Sequence, residues 1–190
     1  MKAIISHNKF GFIGLNGELP WRSREDLKHF KDLTIGCKLL VGYNTSINLP
    51  PLKDRELVID DRYNLIETDL IDWCIGGKKT YEKYCHLFTE LHVSIIDDET
   101  IGDTVYPNLI NLNKDCKIIY YHFYTDKKIM AAYMAGFNDE LNDSKKEDLK
   151  NETLNYAYTI GRQDAIIGDG ITNSDNQSNS KILNRIINKH

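Results

Sequence analysis

Residues 13–30, IGLNGELPWRSREDLKHF, set the reading of the whole chain. Gly14 and Gly17 make a pliable loop, and Pro20-Trp21 pins its end. Ser23 then opens a helix, with Asp26 three residues on as a capping-box-like partner. Along that helix Asp26, Leu27 and Phe30 put one carboxylate beside two apolar groups on a single face. An Asp in a first turn commonly does no more than cap, complementing the positive end of the helix dipole. The glycine loop, the Pro-Trp pair and the aromatic one turn later add a second reading. A carboxylate held among apolar side chains suits a flat heterocycle with a polar edge.

Working outward, KAIIS at 2–6, KLLV at 38–41, ELVI at 56–59, DWCI at 72–75 and LHVSII at 91–96 read as buried strands, with a further strand candidate at 64–67. Helical spacing appears at Arg24–Leu33, at the short turn Thr45–Ile47 and at Lys79–Leu87. This alternation predicts an α/β fold with a mostly parallel sheet. Two Tyr-rich, β-prone runs, KIIYYHFY at 117–124 and LNYAYTI at 154–160, predict an antiparallel C-terminal edge. The body is expected to span 1–165, with an inserted helical excursion or long loop at about 128–151. Residues 166–190 read as a flexible polar tail in which KILNRII at 181–187 has the spacing of a short terminal helix.

A chain of 190 residues accommodates one well-filled core. A formal charge of −4 argues against a general nucleic-acid binder. The sequence contains no apolar run of the roughly 18 residues that a membrane helix needs, and its first residues are too few for a secretory apolar region. Cys37, Cys74, Cys85 and Cys116 are scattered, which fits reduced thiols in an intracellular chain. The histidines lack ligand spacing, so no metal site is expected.

Two glycine-marked strand ends carry the remaining chemistry. Ile75-Gly76-Gly77-Lys78-Lys79-Thr80-Tyr81 ends a strand, turns on two glycines and starts a helix, bringing backbone N–H groups and a cation where a phosphate would sit. Gly42-Tyr43-Asn44-Thr45 repeats the theme. Such a pair in one parallel sheet suits an extended phosphate-bearing ligand along the carboxyl ends of the strands. Neither GxGxxG nor GxxxxGK[ST] occurs, which excludes the usual dinucleotide fingerprint and a P-loop.

In order, AIIS at 3–6, IGLNGELPW at 13–21, the D-L-x-x-F helix, VGYNT at 41–45, LPPLKDR at 49–55, IGGKKTYE at 75–82 and SIIDDETIGDTVYP at 94–107 resemble dihydrofolate reductase. The resemblance covers about residues 2–109 and more weakly the β-rich runs to about 162. It implies an eight-stranded, mostly parallel sheet with an antiparallel end. It also implies hydride transfer from NADPH to 7,8-dihydrofolate, in support of thymidylate synthesis and one-carbon metabolism. The location would be cytoplasmic, the host cytoplasm for a viral member.

Carried across by residue, the resemblance makes Asp26 the partner of the amidine-like pterin edge, with Ser94 near it and Ile4 and Ser6 lining the pocket. Leu27, Phe30 and Lys31 would flank the pteridine and aminobenzoyl rings, with Ile75 and Tyr81 also on the substrate side. Arg55 would pair with the substrate α-carboxylate, whose shape a planar guanidinium matches. The loop Ile13 to Leu19, with Gly14, would close over the nicotinamide, with Ser6 also near it. Gly42, Asn44, Thr45, Gly76, Gly77, Lys78, Lys79 and Thr80 would hold the pyrophosphate and ribose, and Arg62 would lie near the 2′-phosphate.

Three departures mark this chain. Only about sixteen residues separate the ELVI strand from Gly76, so an adenine-side helix is shortened or missing. Tyr43 stands where many members carry an arginine. A gap near Lys53–Glu56 makes Arg55 the best placed of the nearby groups for the carboxylate. A compact viral member would fit these departures. The alternatives are another nicotinamide-dependent reductase on this scaffold and a folate-binding assembly protein with weak turnover. Asp26 after Pro-Trp argues against the first.

Overall fold

The apolar run after Met1 becomes β1 (Lys2–Asn8), whose Ala3, Ile4 and Ile5 are buried on both faces, as a central parallel strand requires. It runs parallel to β5 (Trp73–Cys74) on one side and β6 (Glu90–Asp97) on the other, with Ile4 opposite His92 and Ser6 opposite Ser94. Beyond β5 the sheet continues through β3 (Lys38–Gly42) to β4 (Glu56–Asp60), both parallel, with Gly42 opposite Asp60. β8 (Lys117–Tyr124) lies beside β6, giving the order β4-β3-β5-β1-β6-β8. A separate antiparallel pair joins β2 (Phe12–Gly14) to β7 (Thr104–Val105). The expected mostly parallel α/β architecture is therefore present. Its strands form a six-stranded sheet and a two-stranded one among the described residues, where the resemblance implied a single sheet of eight.

This computed structural model describes residues 1–61, 63, 65–107, 109, 113–141, 152–167 and 176–188. The chain divides into two compact units, Met1–Phe123 and Tyr124–His190, whereas the sequence reading carried one body to about 165. In the first unit, helices α1 (Arg24–Thr34), α2 (Tyr43–Asn48) and α3 (Lys78–Tyr84) follow β2, β3 and β5. Residues 65–67 form no strand; a 3₁₀ turn at Thr68–Leu70 leads to β5 instead. The main core gathers Ala3, Ile5, Leu40, Cys74, Tyr81, Phe88, Leu91 and Val93. No described helix is long and apolar enough to cross a membrane.

The second unit contains three helices among its described residues: α4 (Asp126–Leu141), α5 (Glu152–Ile167) and α6 (Asn176–Ile187). The LNYAYTI run, expected as a strand, lies inside α5. Leu154, Ala157 and Gly161 recur at helical spacing, and Ala157 and Gly161 are buried. A Cβ added at Gly136 of α4 would collide with the Tyr158 carbonyl, so α4 and α5 pack backbone to backbone. Propensity for strand thus yields to a close helix crossing.

The terminal segment KILNRII forms the buried face of α6, where Ile182, Leu183, Ile186 and Ile187 pack with Ile129, Tyr133 and Ala157. It belongs to a core; of the expected flexible tail, residues 168–175 and 189–190 lie outside the described residues. Ile186→Ala is expected to destabilise this unit by roughly 2–5 kcal/mol. Faster amide exchange in α4 and α5, with β1 and β6 unchanged, is the measurement that checks it.

Candidate active site

Asp26 owes its position to local sequence. The buried Ser23 caps α1, its hydroxyl accepting from the Asp26 N–H at 3.4 Å. That fixes the first turn and turns the Asp26 side chain inward, where it is 5% exposed. Burial pushes the carboxyl up from 3.8 to about 6, and the Ser94 and Ser6 hydroxyls, paired across β1 and β6, hold it from rising further. Ser94 Oγ is sealed from water and meets no protein partner at full hydrogen-bond geometry. The group therefore offers unspent polarity beside an acid, at the place where a polar-edged ring would satisfy both.

Next to it lies an apolar floor. Ile4, Leu39 and Trp73 are buried, with Phe30, Leu33, Leu52 and Ile75 packed against them. α1, the body of β1 and the end of β5 thus bring Phe30, Ile4 and Ile75 together. Leu52, absent from the sequence reading, joins them; its signal was an apolar residue isolated between Pro51 and Lys53. Leu27 is half exposed and Lys31 exposed on α1. Tyr81 is almost wholly buried and donates its O–H to the Ile4 carbonyl at 2.6 Å, so it ties α3 beneath the floor. Arg55 lies at the far end of α1. Its guanidinium donates to Thr34 Oγ1 at 3.2 Å and sits 5.6 Å from the centre of the Phe30 ring. A cation is thereby held at the opposite end of α1 from Asp26, with the aromatic between them.

A second cradle forms where β3 and β5 end. Gly42 N–H donates to the Gly76 carbonyl at 2.5 Å. A Cβ on Gly42 would strike Thr80 Oγ1, and one on Gly77 would come within 2.6 Å of Thr45 Oγ1. Gly42 and Gly77 begin α2 and α3 without any side-chain cap, so the first N–H groups of both helices remain available to an anion. Asn44, Lys78 and Lys79 are exposed here, Thr45 is partly buried and Thr80 buried. Arg62 lies outside the described residues.

The loop after β2 is a tight hairpin. Leu15 and Glu18 exchange backbone hydrogen bonds of 2.8 and 3.1 Å around Asn16-Gly17, both at positive φ. Two contacts hold its tip: Asn16 N–H donates to Asp103 Oδ2 at 2.7 Å, and Asn48 Nδ2 donates to the Gly17 carbonyl at 3.1 Å. Ile13 packs on the main core, while Leu19 is 46% exposed.

Comparison with known proteins places these features in context. Residues 1–69 match the family model described as dihydrofolate reductase. A dihydrofolate reductase of Buchnera aphidicola subsp. Schizaphis graminum is 32% identical over 125 residues, which is 55% of this chain and 74% of that protein. One from Staphylococcus aureus (strain MSSA476) is 27% identical over 123 residues, 56% of this chain and 77% of its own length. Among solved structures, dihydrofolate reductase from Enterococcus faecalis complexed with NADP(H) and RAB-propyl superposes with a TM-score of 0.50 at 26% identity, covering 56% of this chain and 76% of that one.

Proposed function

The chain belongs to the dihydrofolate reductase family, and from that premise we propose that it reduces 7,8-dihydrofolate to 5,6,7,8-tetrahydrofolate with NADPH as the hydride donor. The observation that carries the reading is Asp26, buried on α1 between Ser6 and Ser94 with its carboxyl raised to about 6. A carboxylate is costly to bury without a partner, and the donor edge of a pterin is a complementary one. Arg55, beside Phe30, takes the substrate carboxylate.

The cradle of Gly42, Thr45, Gly77 and Thr80 fits a dinucleotide pyrophosphate, since a Cβ at either glycine would fill it. The nicotinamide, when bound, supplies the hydride that C6 of the substrate accepts. Asp26 orients the ring through its 2-amino and N3 positions and raises the electron density that favours a proton at N5. The hairpin tip held by Asp103 and Asn48 covers the cofactor side and excludes bulk water; its opening frees product. The test is consumption of NADPH absorbance in the presence of dihydrofolate. Tight folate binding without that consumption would replace the enzyme reading with a folate-binding protein.

Cofactor choice gives a further prediction. Lys79, exposed in the first turn of α3, supplies charge to the 2′-phosphate. A charge-assisted contact corresponds to roughly a tenfold or larger change in affinity. Lys79→Ala is expected to raise the KM for NADPH by about that factor while leaving the KM for NADH nearly unchanged. Comparable kcat/KM for the two cofactors in the unmutated protein would remove the NADPH assignment and leave the reductase assignment standing.

A further inference from the structure

We propose that Lys83 determines cofactor specificity: by pairing with Asp60 it cancels an acidic ribose acceptor at the end of β4, and so lets this chain take a 2′-phosphorylated dinucleotide. The inference rests on the reductase reading above.

Asp60 is the last residue of β4 and lies in register with Gly42, where the cradle begins. In dinucleotide-binding sheets with the glycine fingerprint, an acid at the end of the strand beside the phosphate-binding one accepts the ribose 2′-hydroxyl and disfavours a 2′-phosphate; this chain lacks that fingerprint but sets Asp60 at a comparable strand end, beside Gly42. Taken by position alone, Asp60 would direct the site toward NADH. Tyr43, at the start of α2, brings no cation to offset it.

The structure supplies that offset from α3. Lys83 Nζ lies 2.8 Å from Asp60 Oδ1, and the Tyr84 hydroxyl reaches the same oxygen at 3.5 Å. The Asp60 side chain is only 9% exposed under this cover, while that of Lys83 is 52% exposed. The ammonium also sits 4.8 Å from the centre of the Tyr84 ring. Its hydrogen bond to Asp60 holds the Lys83 pKa above the ordinary lysine value, so the ammonium stays charged. Asp61, the next acid, accepts the Tyr63 N–H at 3.0 Å.

Lys79 lies four residues before Lys83 on α3, one turn away on the same face. An incoming adenosine ribose therefore meets two lysines, with the nearest acid already paired. A purely structural tie between α3 and β4 would predict something different. Its loss would weaken NADPH and NADH alike, because both share the cradle.

The experiment measures dissociation constants for NADPH and for NADH separately, by fluorescence titration without folate, for the unmutated protein and for Lys83→Met, Asp60→Asn and the double variant. Lys83→Met is expected to weaken NADPH about tenfold or more while NADH holds or tightens. Asp60→Asn is expected to tighten NADPH relative to NADH by several-fold. The double variant is expected to recover much of the NADPH affinity lost in Lys83→Met, since the unpaired acid is gone. Equal losses for both cofactors in a folded Lys83→Met protein would overturn the inference. Should that variant not fold, Asp60→Asn decides, and an unchanged ratio of the two constants overturns it. An unmutated protein that binds neither cofactor would defeat the reductase reading itself. Binding of both, with ratios that no variant shifts, defeats only the role given to Lys83.

Discussion

Asp26→Asn is expected to lower kcat with dihydrofolate at pH 7 by about two to three orders of magnitude, the range for removing one aligned electrostatic group from an active site. The substitution keeps the shape of the side chain and leaves the Ser23 cap in place, because that cap uses the backbone N–H of residue 26. What it removes is the charge that complements the pterin edge. Turnover should recover in part at acidic pH, where the substrate arrives already protonated. Unchanged turnover at pH 7 would take Asp26 out of the mechanism.

The same variant should be more stable than the protein it came from. The folded-state pKa of Asp26 lies above its ordinary value, so the unfolded chain ionises first as pH rises. The folded chain keeps its proton from 3.8 up to about 6. Stability is therefore lost as pH climbs through that window, and the full cost is present above it. At 1.36 kcal/mol per pH unit, the burden of carrying a charged Asp26 at neutral pH is about 3 kcal/mol. Asn carries no such charge. Ligand-free Asp26→Asn should accordingly melt at a higher temperature than the unmutated protein at pH 7, with the difference shrinking toward pH 4. A lower melting temperature at pH 7 would show that the carboxylate holds the site together instead of being held by it.

Asp26 was legible in the sequence because its signals are local: a capping serine, a glycine loop and an aromatic one turn on. The glycine-marked strand ends were legible for the same reason. Its setting between Ser6 and Ser94 was legible only through the family resemblance and not from local signals, since the two serines are 88 residues apart in the chain and meet through the β1–β6 register. The pairing of Lys83 with Asp60 is hidden in the same way: a charge on one element is cancelled by another that the sequence does not mark as its neighbour. The 154–160 run failed differently. Its tyrosines and threonine gave a local strand signal, and the helical recurrence of Leu154, Ala157 and Gly161 was the competing signal. That signal prevails only once α4 sets Gly136 against the Tyr158 backbone. The KILNRII helix was legible from its spacing, but the polar stretch before it masked the helix's start at Asn176 and the packing of its apolar face, 182, 183, 186 and 187, against the other two helices of its unit.

Gly76→Ala should abolish cofactor binding and destabilise the first unit together. Gly76 has φ of +104°, a conformation that a residue with a Cβ rarely adopts, so alanine is strained there before any neighbour is considered. The added methyl would also lie 2.7 Å from the Tyr81 ring and 2.9 Å from its hydroxyl oxygen. Tyr81 has nowhere to retreat. It is 4% exposed, packed in the main core, and its hydroxyl is bonded to the Ile4 carbonyl at 2.6 Å. Relief must come from a shift of the Gly76 backbone, which carries the carbonyl that accepts the Gly42 N–H and thus joins the two halves of the cradle. Overpacking of this kind costs about 1–3 kcal/mol, and the backbone strain adds a similar amount. The expected result is a melting temperature lower by several degrees and no measurable NADPH binding at concentrations that saturate the unmutated protein, with α4 to α6 retaining their amide protection. Gly36→Ala is the control: it too has positive φ, at 75°, but nothing lies near its Cβ. It should lose stability without losing the cofactor. Full NADPH affinity in a folded Gly76→Ala protein would show that the meeting of Gly42 and Gly76 does not hold the dinucleotide.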